Sequence, residues 1–125
     1  MQVITASPDG QAFGSGLAQS RQDEGIAAWI VQLVALATGV PALDILSATR
    51  HRADAARARQ IAIYLAHTGC AWPLARVGIA FGRDRSTCAH ACARVEDMRE
   101  DARFDTRLAG LEACVRTVPD AGLWL

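Results

Sequence analysis

The chain has 125 residues and a mass of 13.3 kDa, which suits one small domain. With 51% hydrophobic and 21% charged residues it can bury a core, so its composition excludes a wholly disordered protein. Thirteen basic and thirteen acidic residues give a formal net charge of zero. Taken alone, that balance argues against a protein that binds nucleic acid.

The charges are, however, segregated along the chain. All thirteen cations are Arg, and eight of them lie in residues 50–94, where the only acids are Asp54 and Asp84. This stretch has a net charge of +6, and the other five cations and eleven acids give −6. A basic middle region in a neutral chain is typical of a surface that binds a polyanion.

The four cysteines have a spacing that suits neither a disulfide scaffold nor a metal site, because no C-x-x-C pair occurs. We interpret them as small buried apolar residues in a reducing, cytoplasmic compartment. The chain shows no secretory signal pattern, and its longest apolar stretch, residues 26–37, is too short to span a bilayer. We therefore expect no membrane attachment, no metal and no cofactor. The cysteines are Cys70, Cys88, Cys92 and Cys114.

The N-terminal part of the chain changes character near Asp23. Residues 1–22 lack sustained periodicity and are predicted to be a flexible tail, followed by a folded domain over 23–118 and a second tail over 119–125. The first helix is indicated by apolar residues that recur at i, i+3, i+4 and i+7, and Gly39 and Pro41 end it. These apolar residues are Ile26, Trp29, Ile30 and Leu33. Because apolar residues also occupy its other sides, we expect part of this helix to be a contact surface. Such a helix is compatible with a monomer or a homodimer.

Further helices are predicted downstream. Residues 41–46 can form one helical turn, 48–53 form a basic loop, and the apolar periodicity then indicates helices over about 54–67, 73–81, 84–98 and 101–117. Gly82 suits a left-handed helix end, and Asp84 can cap the next helix by accepting a hydrogen bond from the amide of Ser86 or Thr87. No strand alternation of useful length occurs. The sequence therefore predicts an all-α bundle of about five to six helices with a helix–turn–helix around residues 81–84.

The second helix of this pair presents a polar face that packing does not explain. Ser86, His90 and Arg94 recur every four residues and so lie along one side, with small alanines between them. Such a helix can enter a major groove. Its free N-terminal amides, next to Arg83 and Arg85, favour phosphate. The alternative is an ordinary solvated face, but the basic residues upstream favour DNA.

Three segments resemble a known family. They are ARARQIAIYLAH (56–67), LARVGIAFGRD (74–84) and RDRSTCAHAC (83–92). They are similar to segments of the C-terminal DNA-binding domain, domain IV, of the bacterial chromosomal replication initiator DnaA, and the resemblance extends over residues 30–100. It implies a Trp-repressor-like helix–turn–helix fold.

The resemblance also implies roles for individual residues. Positions that read bases in the major groove of the initiator's nine-base-pair box fall on Asp84, Arg85, Ser86 and Thr87. Phosphate contacts fall on Arg59 and Gln60, further backbone contacts fall on Arg83, His90 and Arg94, and a minor-groove contact falls on Arg50 or Arg52. Arg85 replaces a family His and Ser86 a family Thr, so the preferred box can shift toward guanine and away from thymine. Six phosphate-zone arginines would give a salt slope of about −5.

We therefore expect a protein that binds double-stranded DNA with a DnaA-box-like preference, associates with the nucleoid and modulates the initiation of chromosome replication. We do not expect an enzyme. No His has a catalytic partner at the level of motifs, and a chain without Lys cannot form the G-x-x-x-x-G-K-[ST] phosphate loop of an ATPase. The alternative is a regulator that contacts the replication initiator, or a protein that controls it, with little specific DNA binding. The apolar first helix, the acidic flanks and Trp124 motivate that alternative.

Overall fold

The computed structural model describes residues 8–47 and 52–117, and these residues form six helices and no strand. The predicted all-α fold is thus confirmed. No helix among the described residues is long and apolar enough to cross a membrane. The helices are α1 (Pro8–Thr38), α2 (Ala42–Leu46), α3 (Ala53–Gly69), α4 (Leu74–Phe81), α5 (Arg85–Met98) and α6 (Ala102–Arg116).

Helix α1 begins much earlier than the periodicity indicates. The predicted tail over 1–22 is wrong for residues 8–22, which continue the same helix, whereas residues 1–7 lie outside the described residues. Pro8 is the first helical residue, a position that proline favours because its missing N–H has no helical partner there. Extending an existing helix adds one hydrogen bond per residue, so the early turns need no apolar stripe. The side chains at 16–19 are indeed exposed.

The part of α1 that packs on the domain buries Ala27, Ile30, Val31 and Val34. Trp29, which belongs to the apolar spacing seen in the sequence, is instead 42% exposed. Because several sides of this helix are apolar, the sequence did not settle which side is buried. The buried stripe includes Ala27, Val31 and Val34, each one residue after a member of the spacing seen in the sequence.

Helix α3 is the centre of the bundle and contacts each of the other five helices. Four of its buried residues are alanines, which let neighbouring helices approach closely. Its longer buried side chains, among them Ile63 and Leu65, join the main core. A central helix of this kind fixes the positions of α4 and α5 relative to the N-terminal half. The four alanines are Ala55, Ala58, Ala62 and Ala66.

A buried polar network joins α3, α5 and α6. Arg99, at the end of α5, donates to the hydroxyl of Tyr64 at 3.0 Å and to a carboxylate oxygen of Glu112 at 3.0 Å, and it pairs with Asp105. Glu112 is only 5% exposed and also accepts from Thr68 at 2.7 Å. Because the buried carboxylate has charged and hydrogen-bonded partners, the network holds α6 against the bundle.

A second ion pair fixes α4 to α1. Arg76 donates to both carboxylate oxygens of Asp23, at 2.8 and 2.9 Å, and Asp23 is 6% exposed. The guanidinium of Arg76 also lies 4.6 Å from the ring centroid of Trp72, within the range of a cation–π contact. The first helix of the helix–turn–helix is therefore anchored to α1.

Candidate nucleic-acid interface

The turn between α4 and α5 is tight because two glycines permit it. Gly82 adopts φ +67°, the left-handed conformation that ends α4, and this confirms the predicted cap. The amide of Arg83 then donates to the carbonyl of Gly78 at 2.9 Å. A Cβ at Gly78 would lie 2.6 Å from the carbonyl oxygen of Arg83, so no larger residue fits without moving the turn. These contacts fix how closely α4 and α5 approach each other at the turn.

The N-terminus of α5 is closed by Asp84. One carboxylate oxygen accepts from the amide of Thr87 at 2.7 Å, as predicted, and from the hydroxyl of Ser86 at 2.8 Å. These bonds to the charged form, led by the amide of Thr87, hold the pKa of Asp84 below its usual value. The carboxylate is therefore ionised at neutral pH. The hydroxyl hydrogen of Ser86 is engaged in the hydrogen bond to it.

The outer face of α5 carries the polar residues that were singled out in the sequence. Arg85, Ser86, Thr87, His90 and Arg94 are all exposed, as is the small Ala93 between them. Among the described residues, no hydrogen bond or ion pair involves the side chain of Arg85, His90 or Arg94. Their charges and donors thus remain available to a ligand. The opposite side of the helix is buried through Cys88, Ala91 and Val95.

A shallow cleft of about 130 Å³ lies beside this face, between α3 and α5. Arg59 and Gln60 enter it from α3, and both are partly exposed. Arg83, Thr87 and His90 enter it from the turn and from α5. The cleft thus brings Arg59 and Gln60, which were assigned to phosphate, next to Thr87, the one base-assigned residue that lines it.

Arg59 also has a structural task that sequence reasoning missed. Its Nε donates to the carbonyl of Ile45 at 2.7 Å, and its Nη2 donates to the carbonyls of Ser47 at 2.8 Å and Asp44 at 3.2 Å. Arg83 adds a bond to the Ser47 carbonyl at 3.3 Å. Burial, followed by the neighbouring charge of Arg83, lowers the pKa of Arg59. Most donors of Arg59 therefore bind the end of α2 rather than facing solvent.

The two candidates for the minor groove differ in what the structure describes. Arg52 pairs with both carboxylate oxygens of Asp54, at 3.1 and 3.3 Å, and lies 3.3 Å from a carboxylate oxygen of Asp44. The hydrogen bond from Arg52 is the main cause of a lowered pKa of Asp54. Arg50 lies outside the described residues. Because Arg52 already has anionic partners, Arg50 is the better candidate, and this assignment stays a prediction.

Two helices joined by a tight turn, with an uncompensated polar face on the second, define a helix–turn–helix domain. The family described as the bacterial DnaA protein helix–turn–helix matches residues 27–95, which is more than half of the chain. The chain therefore belongs to the bacterial DnaA helix–turn–helix family. The helix–turn–helix domain of this family is non-catalytic.

Two solved structures are similar to the chain. One, described as a DNA replication initiation factor, is 30% identical with a TM-score of 0.70, and the match covers 83% of this chain. The other, replication initiator DnaA bound to AMPPCP and single-stranded DNA, is 32% identical with a TM-score of 0.68, and the match covers 82% of this chain. The matches span 32% and 31% of those two chains, so this chain corresponds to about a third of either.

Proposed function

We propose that this chain binds double-stranded DNA through α5, with a preference for a DnaA-box-like sequence, and thereby modulates the initiation of chromosome replication. The observation that carries the proposal is the exposed row of Arg85, Ser86, His90 and Arg94 on α5. Of these side chains, only Ser86 has a partner among the described residues, the carboxylate of Asp84. A helix with small residues between such side chains fits a major groove. The adjoining cleft adds Gln60 and Arg83 beside this row.

The first turn of α5 supports a specific readout. Arg85 offers paired N–H donors, which match the O6 and N7 acceptors of guanine. Ser86 has directed its proton to Asp84, so toward a base it can only accept, and it would favour the amino group of adenine or cytosine. The pair therefore favours guanine next to a base that carries an amino group, instead of the thymine contact of the family pattern.

The contacts of Arg52 and Arg59 within the protein lower the expected number of phosphate contacts. Of the six arginines expected from the sequence, Arg52 is paired with carboxylates and Arg59 is bound to carbonyls. If these two contribute no released counterions, about four contacts remain, and the salt slope is about −4 rather than −5.

The test is fluorescence anisotropy with the full chain and two labelled duplexes, one carrying the initiator's box and one with the same bases scrambled. Measured at about 50 and 200 mM salt, both affinities should fall, because counterion release accompanies every phosphate contact. The box should bind at least about tenfold more tightly at both salt concentrations, the effect of one good bidentate base contact. Equal affinity for the two duplexes would contradict the proposed preference.

A second candidate function is regulation by protein contact with the replication initiator or its controller. It is favoured by Trp29 and Leu36, which are 42% and 85% exposed and lie seven residues apart on one side of α1. Trp29→Gln with Leu36→Gln tests this surface in cells, with Arg85→Ala as the comparison and origin-to-terminus DNA ratio as the readout. If only the Arg85 variant changes the ratio, regulation by protein contact through this surface of α1 is excluded.

A further inference from the structure

A groove of about 630 Å³ lies on another side of the molecule, between the end of α1, helix α3 and helix α6. Its floor is apolar, with Ile61, Leu108 and Leu111, and the exposed arginines Arg57 and Arg107 flank it. Pockets of about 300–1,000 Å³ are large enough to enclose sizeable apolar groups. The groove is separate from the DNA cleft, which uses the side of α3 that carries Arg59 and Gln60.

Helix α6 is unusually open along this groove. Gly110 lies in the middle of the helix and lines the groove, and a Cβ built there would meet nothing within 4 Å. Glycine inside a helix is destabilising relative to alanine. No packing among the described residues requires a glycine at this position. A chain segment that passes close over the backbone of α6 would require a glycine there.

The segment that follows α6 has the matching chemistry. Residues 118–125 lie outside the described residues, and they include Leu123 and Trp124 together with one acid, Asp120. Apolar side chains suit the floor of the groove, and Asp120 complements the arginines at its edge. None of these residues is among those proposed to contact DNA.

The same segment is long enough to reach the groove. The groove extends along α6 from Cys114 back to Phe104, ten residues or about 15 Å of helix. Seven extended residues span up to about 23 Å. Pro119 cannot continue the hydrogen bonding of α6, which favours a change of direction at this point.

We propose that residues 118–125 fold back along α6 of the same chain and place Leu123 and Trp124 in the groove, with Asp120 near the arginines. The occupant covers the apolar surface between α3 and α6 and leaves the DNA cleft open. This assignment is independent of the proposed DNA binding, since neither Arg85 nor His90 takes part.

The test uses the full chain with Trp29→Phe, which removes the exposed tryptophan of α1 and leaves the buried Trp72 as a constant background. Subtracting the spectrum of a matching Trp124→Phe protein isolates the emission of Trp124. We expect blue-shifted emission and weak acrylamide quenching. Gly110→Phe should fill the groove and expose Trp124, whereas Ala109→Phe, at an exposed neighbour outside the groove, should not.

Three results would overturn the assignment. Trp124 could be as accessible in the parent as in Gly110→Phe, or it could be protected to the same extent in Gly110→Phe and Ala109→Phe. Protection that disappears on dilution would show that the segment of a second copy fills the groove. If Gly110→Phe does not fold by circular dichroism, Arg57→Glu with Arg107→Glu replaces it: repulsion of Asp120 should then raise the quenching of Trp124, and unchanged quenching would contradict the proposal.

Discussion

The two ends of helix α5 use arginine in opposite ways. At the first turn, Arg85 is exposed and has no described partner, and Arg94 on the same face has none either. At the last turn, Arg99 contacts Tyr64, Asp105 and Glu112 and is mostly buried. A polyanion can bind the first kind without breaking an ion pair, whereas the second kind holds the frame. The proposed binding surface therefore differs from the scaffold in whether its arginines are paired, and not in how many arginines it has.

The same comparison qualifies the net charge of +6 over residues 50–94. Arg52 pairs with Asp44 and Asp54, and Arg76 pairs with Asp23, whose carboxylates come partly from outside that stretch. The basic surface is therefore smaller than the sequence count suggests. The cations that remain are concentrated around α5 and its turn.

The largest difference between the two kinds of arginine is expected in stability, when the paired Arg99 is removed. Arg99→Ala leaves the buried Glu112 without its cation, which typically costs about 3–5 kcal/mol of unfolding free energy. Arg94→Ala, on the same helix but exposed, should stay within about 0.5 kcal/mol of the parent. Urea unfolding of both variants measures the difference. Equal losses would mean that partnership does not separate the two arginines.

The turn between the helices is the next test. Gly78→Ala brings a methyl group to 2.6 Å from the carbonyl oxygen of Arg83, and overpacking of this kind costs about 1–3 kcal/mol. We expect lower stability and weaker DNA binding, because α5 must move. Gly25→Ala is the control, since its Cβ meets nothing and alanine favours a helix. A Gly78→Ala protein as stable as this control would contradict the tight turn.

Arg59 tests whether a residue can belong to both classes. Arg59→Lys keeps the charge but cannot reproduce the forked bonds to the carbonyls of Ile45 and Ser47, so we expect a loss of about 1.5 kcal/mol of stability. DNA affinity should fall in this variant while the salt slope stays the same. If Arg59→Lys binds DNA as tightly as the parent and Arg59→Gln lowers the salt slope by about 1, Arg59 acts as a simple phosphate contact.

The smallest expected effect concerns pH and the cap of α5. The lowered pKa of Asp84 means that its charged form stabilises the folded state at neutral pH. This contribution is lost as the pH falls below the ordinary pKa of an aspartate, about 3.9, and through the lower pKa of the folded state. Asp84→Asn should therefore be less stable than the parent at pH 7 and closer to it at pH 3. Melting temperatures across this range measure the gap. A gap that grows toward low pH would contradict the cap.

The sequence was most informative where interactions are local. The bounds of α3 to α6 were predicted to within about two residues, and both Gly82 and Asp84 were identified, because helix caps involve residues within three positions of each other. The helix at residues 8–22 was missed because it lacks an apolar stripe there. The exposed setting of Trp29 was missed because several sides of α1 are apolar.

The parts of the site that could not be predicted depend on contacts between distant residues. Asp23 and Arg76 are 53 residues apart, and Arg59 reaches carbonyls 12 to 15 residues away. No local pattern marks such partners, so the sequence could not separate paired from unpaired arginines. It did identify the exposed row on α5, since residues every four positions on a helix share one side.

The most direct test of DNA reading by α5 is the binding of Arg85→Ala to box and scrambled duplexes, compared with Arg103→Ala, an exposed arginine of α6. Arg85→Ala should lose about 1–3 kcal/mol of binding free energy on the box and much less on scrambled DNA, while Arg103→Ala should leave their ratio unchanged. Equal losses on both duplexes in Arg85→Ala would show that Arg85 contacts only the backbone, and the base-reading account would be wrong.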